Sequence, residues 1–220
     1  MRPKALNRTR RNSAAERKKL APPMPRPANA FRRGNRSASY PSRPTGHAAR
    51  LRERLRKVKL LLCDVDGVLT NGTVLFGDGK EYKTFNIQDG LGLLLLKRKG
   101  VKVAWISSRP SAVTQQRADE LRIDFLHQEK GSKVAVVESL LAQAALGWED
   151  VCYVGDDIVD LGALKRAGVA VAVANAIVEA KAVADYVTTA EGGQGAVREV
   201  VRLILAAQNK WTALVEEHSA

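Results

Sequence analysis

The chain has 220 residues, 36 Lys and Arg against 23 Asp and Glu, and a formal net charge of +13. The excess is local: residues 1–57 hold 18 Lys and Arg against the acids Glu16 and Glu53, a net of +16, while residues 58–220 hold 18 against 21, a net of −3. Whole-chain basicity therefore gives no ground for a nucleic-acid-binding fold, no apolar run approaches the ~20 residues of a membrane span, and Cys63 and Cys152, each inside an apolar run, read as reduced core thiols rather than zinc or redox ligands.

Residues 1–57 are rich in Arg, Pro, Ala, Ser and Asn. The run Ala21-Pro-Pro-Met-Pro-Arg-Pro27 cannot hold a helix. Such a segment buries too little apolar surface to offset its ordering entropy, so disorder is expected to about Arg50, with a short helix over Ala48–Lys57. An Arg-rich, acid-poor N-terminus is also similar to an organellar transit peptide, or to a solvated tail with weak affinity for RNA or anionic lipid.

The pattern changes at Val58. Lys59–Asp64 reads as a buried strand ending on an acid, and Thr73–Phe76 and Glu81–Phe85 flank Gly77-Asp78-Gly79 as a hairpin. Gly90–Lys99 is helical and closes at Gly100, Val101–Ser107 is a second buried strand, and Ser111–Leu121 is an amphipathic helix. Then follow a strand at Ile123–His127, a helix at Lys133–Leu146 stopped by Gly147, and a strand at Val151–Val154. Helix Leu161–Ala167, strand Val169–Val173, helix Ile177–Val183, strand Tyr186–Thr188 and helix Ala196–Ala207 complete the series. This alternation predicts an α/β fold: a Rossmann-like parallel sheet with helices on both faces and a hairpin flap after the first strand. The folded domain is expected over 58–210, with 211–220 a C-terminal tail. Ligands on such sheets bind beyond the carboxyl ends of the strands.

Three strand ends carry polar groups there. In Asp64-Val65-Asp66-Gly67-Val68-Leu69-Thr70 an extended backbone would project both acids to one side. Two carboxylates held that close need a shared cation or a raised pKa, and magnesium would neutralise them and clamp a phosphate. One carboxylate can then attack phosphorus while the other handles the leaving-group proton. Ser107 can donate its hydroxyl to a phosphate oxygen, Asp156, Asp157 and Asp160 can complete an oxygen-ligand site, and Lys133 can offset the nucleophile's charge. Taken singly, each motif reads as a turn, a cap or a solvated side chain. Their order, and their shared position at strand ends, raise the joint reading.

These residues resemble the haloacid dehalogenase superfamily of phosphohydrolases. The resemblance implies that Asp64 is the nucleophile, that Asp66 is general acid and then base, and that Ser107 and Lys133 serve catalysis. It implies Mg2+ held by Asp64, the backbone carbonyl of Asp66 and Asp156, with Asp157 or Asp160 behind them. Gly67-Val-Leu-Thr-Asn-Gly72, Lys83-Thr-Phe-Asn-Ile-Gln-Asp-Gly90 and Gly192-Gly-Gln-Gly-Ala-Val-Arg-Glu199 further resemble the 3-deoxy-D-manno-octulosonate 8-phosphate phosphatases. That family makes the sugar acid of the lipopolysaccharide inner core. It implies a cytoplasmic homotetramer without a large cap domain, its sugar site shared between subunits. Substrate contacts would fall on Asp66, Asn86, Ile87, Gln88, Asp89, Gly90, Arg109, Arg117 and Lys133. The chain departs from the pattern at Ser108, where a glycine is usual, at Gln88 and Leu94, where arginines are frequent, and at Asn71, where an acid is common. A nonulosonate 9-phosphate is the alternative substrate, and a non-catalytic protein that binds through its basic tail is the reading of a different class.

Overall fold

The structure, a computed structural model, describes residues 46–219; the expectations for residues 1–45 lie outside the described residues. Six parallel strands form one sheet: β1 (Leu60–Cys63), β4 (Lys102–Ser107), β5 (Phe125–Gln128), β6 (Val151–Gly155), β7 (Val169–Ala172) and β8 (Tyr186–Val187), in the order β5-β4-β1-β6-β7-β8. Between β1 and β4 stands a separate antiparallel hairpin of β2 (Leu75–Gly77) and β3 (Lys80–Tyr82). β1 is central because every one of its residues is apolar and both faces are covered; all four are fully buried. Leu60 pairs with Lys102 on one side and Val151 on the other, so β1 is where the strand order reverses.

The helices divide into two packed groups. α1 (His47–Lys57), α2 (Ile87–Arg98), α7 (Ala196–Ala207) and α8 (Trp211–Glu217) form one, with α4 (Lys133–Ala144), α5 (Leu161–Leu164) and α6 (Val178–Val183) in the other. Right-handed crossovers place the groups on opposite faces of the sheet. α7 shows why the first layer seats: Val197, Val200, Val201, Ile204 and Leu205 recur at helical spacing and are all buried. α3 (Ala112–Glu120) is capped by the Ser111 hydroxyl.

Two helices lie outside the 58–210 span. α1 starts one residue before the helix expected from sequence and buries Leu55. Its Arg54 forks onto both Asp185 carboxylate oxygens at 2.6 and 2.7 Å and also donates to the Gly168 carbonyl. α8 was not expected: Trp211 lies under the guanidinium groups of Arg198 and Arg202, 5.0 and 5.9 Å from the ring centroid, and Leu214 is buried.

The segment between β1 and β4 holds only the hairpin and α2, and the segment between α4 and β6 only one short 3-10 turn, Trp148–Asp150. No cap covers the carboxyl ends of the strands in the described residues. The hairpin instead exposes Leu75 and Phe76, at 65 and 69 % of their surface, and α2 exposes Ile87 at 81 %.

Candidate active site

Asp64 follows directly after β1, and its amide still donates to the Val154 carbonyl of β6 at 3.0 Å, so the sheet itself fixes its backbone. The chain then turns tightly, with the Leu69 and Thr70 amides both donating to the Val65 carbonyl. Gly67 makes that turn at φ 93°, where a Cβ would run into the Asp156 carboxylate. The loop is walled from behind by Gly192 and Gly193: a Cβ on Gly192 would strike the Gly67 carbonyl, and the Gly193 amide donates to the Val68 carbonyl at 2.9 Å.

Ser107 ends β4, Asp156 follows β6, and Lys133 opens α4. These three and Asp64, with Asp66, Ser108, Arg109, Asp157 and Val159, line a cavity of about 220 Å³ at the strand ends. The buried Lys133 ammonium bridges Asp64 Oδ2 at 2.9 Å and Asp160 Oδ1 at 2.7 Å. Asp160 is fully buried and saturated: Oδ1 also accepts from the Tyr153 hydroxyl at 2.7 Å, and Oδ2 accepts the Asp156 and Asp157 amides at 3.0 and 3.2 Å. It organises the Asp156 loop. Asp157 is an exposed N-cap whose Oδ1 accepts the Ile158 amide at 2.6 Å, the simple turn role open to it from sequence.

The electrostatics follow from burial. Desolvation, then the neighbouring Asp160, pushes Asp64 up to about 6 against the pull of Lys133. Asp156 is pushed up to about 8 by burial and by Asp64 and Asp160. Burial opposes the charge on Lys133, but Asp64 and Asp160 hold its pKa above the usual lysine value. Carboxylate oxygens of Asp64, Asp156 and Asp160 all lie within 4.8 Å of one another, and buried Asp156 Oδ1 has no hydrogen-bond partner. An unpartnered buried carboxylate oxygen in an all-oxygen donor set fits a hard divalent cation. With Asp160 saturated, the side chains able to hold it are Asp64 and Asp156.

Asp66 does not join that cluster. Its Oδ1 faces the Lys83 ammonium at 2.7 Å, and its buried Oδ2 has no partner. The Ser107 hydroxyl is turned onto its own loop, accepting from the Arg109 amide and donating to the Arg109 carbonyl, each at 3.0 Å. Arg109 reaches the cavity rim, paired with Glu81 of β3 at 2.7 Å.

The rest of the expected substrate-binding set lies off this cavity. Asn86 caps α2, accepting the Gln88 and Asp89 amides at 2.7 and 3.3 Å. Ile87 and Gln88 are exposed on its first turn. Asp89 is buried beneath the start of α7, accepting the Arg198 amide at 2.6 Å, and burial raises its pKa. Gly90 is buried against the Arg117 guanidinium, which is paired with Glu120 at 2.7 Å.

Lys83, Glu81 and Tyr153 had no role assigned from sequence. Lys83 sat inside a run singled out as a motif, and that was its only signal. Tyr153 reads as core, and only its contact with Asp160 distinguishes it.

The haloacid dehalogenase-like hydrolase family matches residues 123–200. The 3-deoxy-D-manno-octulosonate 8-phosphate phosphatase of Yersinia pestis is 41% identical over 159 residues, 72% of this chain and 85% of that protein. Its counterpart in Escherichia coli strain K12 is 40% identical over 158 residues, 71% and 84%. The Moraxella catarrhalis enzyme of that name, solved in complex with magnesium ion, phosphate ion and KDO, superposes with a TM-score of 0.75 at 39% identity over 76% of this chain and 97% of the other. The cobalt-bound Haemophilus influenzae enzyme gives 0.71 at 37% identity, over 73% and 94%.

Proposed function

Because this chain belongs to the 3-deoxy-D-manno-octulosonate 8-phosphate phosphatase family of haloacid dehalogenase-like hydrolases, we infer that it hydrolyses that sugar-acid phosphate to 3-deoxy-D-manno-octulosonate and inorganic phosphate. The product is the sugar acid of the lipopolysaccharide inner core. The observation that carries the reading is the meeting of Asp64, Asp156 and Lys133 in one strand-end cavity.

Asp64 is the nucleophile. Its carboxylate oxygen bonds to phosphorus as the bond from phosphorus to the sugar oxygen breaks, and Asp66 gives its proton to that leaving oxygen. Water then attacks the aspartyl phosphate and passes a proton to Asp66, and the bond between Asp64 and phosphorus breaks. Lys133 stands over both steps, its charge offsetting that of Asp64 and the phosphate. Ser107 and the amides beside it take phosphate oxygens. Mg2+ is the cofactor; Asp64, Asp156 and the Asp66 carbonyl would hold it, and it would supply charge neutralisation between carboxylates and phosphate.

The sugar acid brings a carboxylate of its own, and Arg109, which lines the cavity, is a cation suited to receive it. Asn86–Gly90 and Arg117 serve a neighbouring subunit's site in a homotetramer. What supports this assembly is the open, uncapped cavity and the exposed apolar side chains of Leu75, Phe76 and Ile87. We place the enzyme in the cytoplasm; no helix among the described residues is long and apolar enough to cross a membrane.

The test is phosphate release from 3-deoxy-D-manno-octulosonate 8-phosphate with magnesium, in the native chain and in Asp64→Asn. The native chain should turn over and the variant should lose at least about a thousandfold in kcat, the loss expected when a covalent nucleophile is removed. A fully active variant would end the mechanism.

A further inference from the structure

Lys83 has a side chain with no exposed surface, yet it carries a charge. A buried ammonium is tolerated where its donors and its charge are both matched. Three groups surround this one: Asp66 Oδ1 at 2.7 Å, the Thr114 hydroxyl of α3 at 3.3 Å and Glu81 Oε1 at 3.5 Å. Glu81 is itself fixed, accepting from Arg109 at 2.7 Å and from the Ser111 hydroxyl at 3.2 Å. The lysine is therefore locked from the hairpin side and from α3, and only then meets Asp66.

The consequence falls on the two oxygens of Asp66. Oδ1 faces an N–H donor, so any proton on the carboxyl group sits on the other oxygen. Oδ2 is buried and has no partner. We propose that Lys83 is the positioning residue of the general acid: by holding Asp66 Oδ1 it fixes the carboxyl plane and makes Oδ2 the oxygen that gives the proton to the leaving group. This rests on the phosphatase reading above. Lys83 does not touch the phosphate; it acts through Asp66.

Leaving groups separate these roles. A sugar alkoxide cannot depart without a proton, whereas a nitrophenolate can. Lys83→Met should lose about a hundredfold in kcat/KM on 3-deoxy-D-manno-octulosonate 8-phosphate, within the range that general acid catalysis contributes. On p-nitrophenyl phosphate it should lose less than about fivefold. In an Asp66→Asn background the same substitution should change neither rate further, because residues acting as one unit are not additive. Magnesium affinity by titration calorimetry should stay within about twofold of the native value. Thr114→Val, which removes one support of the lysine without opening a charge, should show a smaller loss with the same substrate bias, and serves if Lys83→Met does not fold. Equal losses on both substrates would mean that Lys83 binds phosphate, and would overturn the proposal; so would a full effect in the Asp66→Asn background. A native chain that releases no phosphate from either compound would overturn the phosphatase reading instead, which the variants do not bear on.

Discussion

Asp64 and Asp156 are two acids held close together with little water to share their charge, and burial is the larger cause of the shift in each. A carboxyl group whose pKa rises on folding stabilises the fold fully below its unfolded value, near 4. It loses that contribution as pH rises through the folded value. For this pair the window runs through about 6 for Asp64 and about 8 for Asp156. Metal-free protein should therefore melt at progressively lower temperature from about pH 4 to about pH 8, and magnesium should restore more stability at the upper end. Calorimetric titration at pH 7 in two buffers of different ionisation enthalpy should register proton release on metal binding; identical heats would refute it. Sequence led to Asp64, Asp156 and Lys133 because each stands at the end of a readable element. It could not lead to Lys83, because that role exists only where the hairpin, α3 and the loop after β1 converge. Nor did it foresee that the Asp66 carboxylate pairs with Lys83 instead of joining Asp64 and Asp156: the loop stops being extended right after β1, so the alternation of a strand no longer governs its side chains.

At the level of elements, α1 belongs to the folded body. The Arg54 fork onto Asp185 is half-exposed, so its loss in Arg54→Ala should cost only about 1 kcal/mol. Cutting the chain after residue 57 also strips buried Leu55 from the first helical layer, a further ~2 kcal/mol. Removal of residues 1–45 should leave kcat and melting temperature unchanged, whereas removal of 1–57 should lower the melting temperature by several degrees. Thermal unfolding of the three proteins, followed by circular dichroism, distinguishes the cases; a fall in kcat on losing only 1–45 would show that the basic segment serves the site. α7 was legible because its apolar residues repeat at helical spacing. α8 was not, because it buries a single leucine and is held by two arginines against Trp211, pairings that no local pattern announces.

For the molecule as a whole, the feature that matters is the open end of the sheet. The family resemblance implied the absence of a cap, and the structure fills the segment between β1 and β4 with the hairpin and one helix. What no single sequence displays is where the enclosure then comes from. The exposed Leu75 and Phe76 stand on the same hairpin that carries Glu81, with Lys83 just beyond its second strand. Phe76→Asp should shift the proposed homotetramer toward smaller species in light scattering. It should raise KM for the sugar phosphate more than about tenfold while leaving p-nitrophenyl phosphate hydrolysis within about threefold. A monomeric variant with native KM would mean that each site is complete within one subunit.

The interlock of Gly192 with the Gly67 carbonyl has a temporal meaning as well. A ribosome delivers Asp64 well before the wall behind its loop, which arrives with Gly192 and Gly193 more than a hundred residues later. A chain halted in translation before that point has made Asp64 and lacks the backing that shapes the loop after it. The order of delivery thus defers the shaping of that loop until Gly192 and Gly193 have emerged.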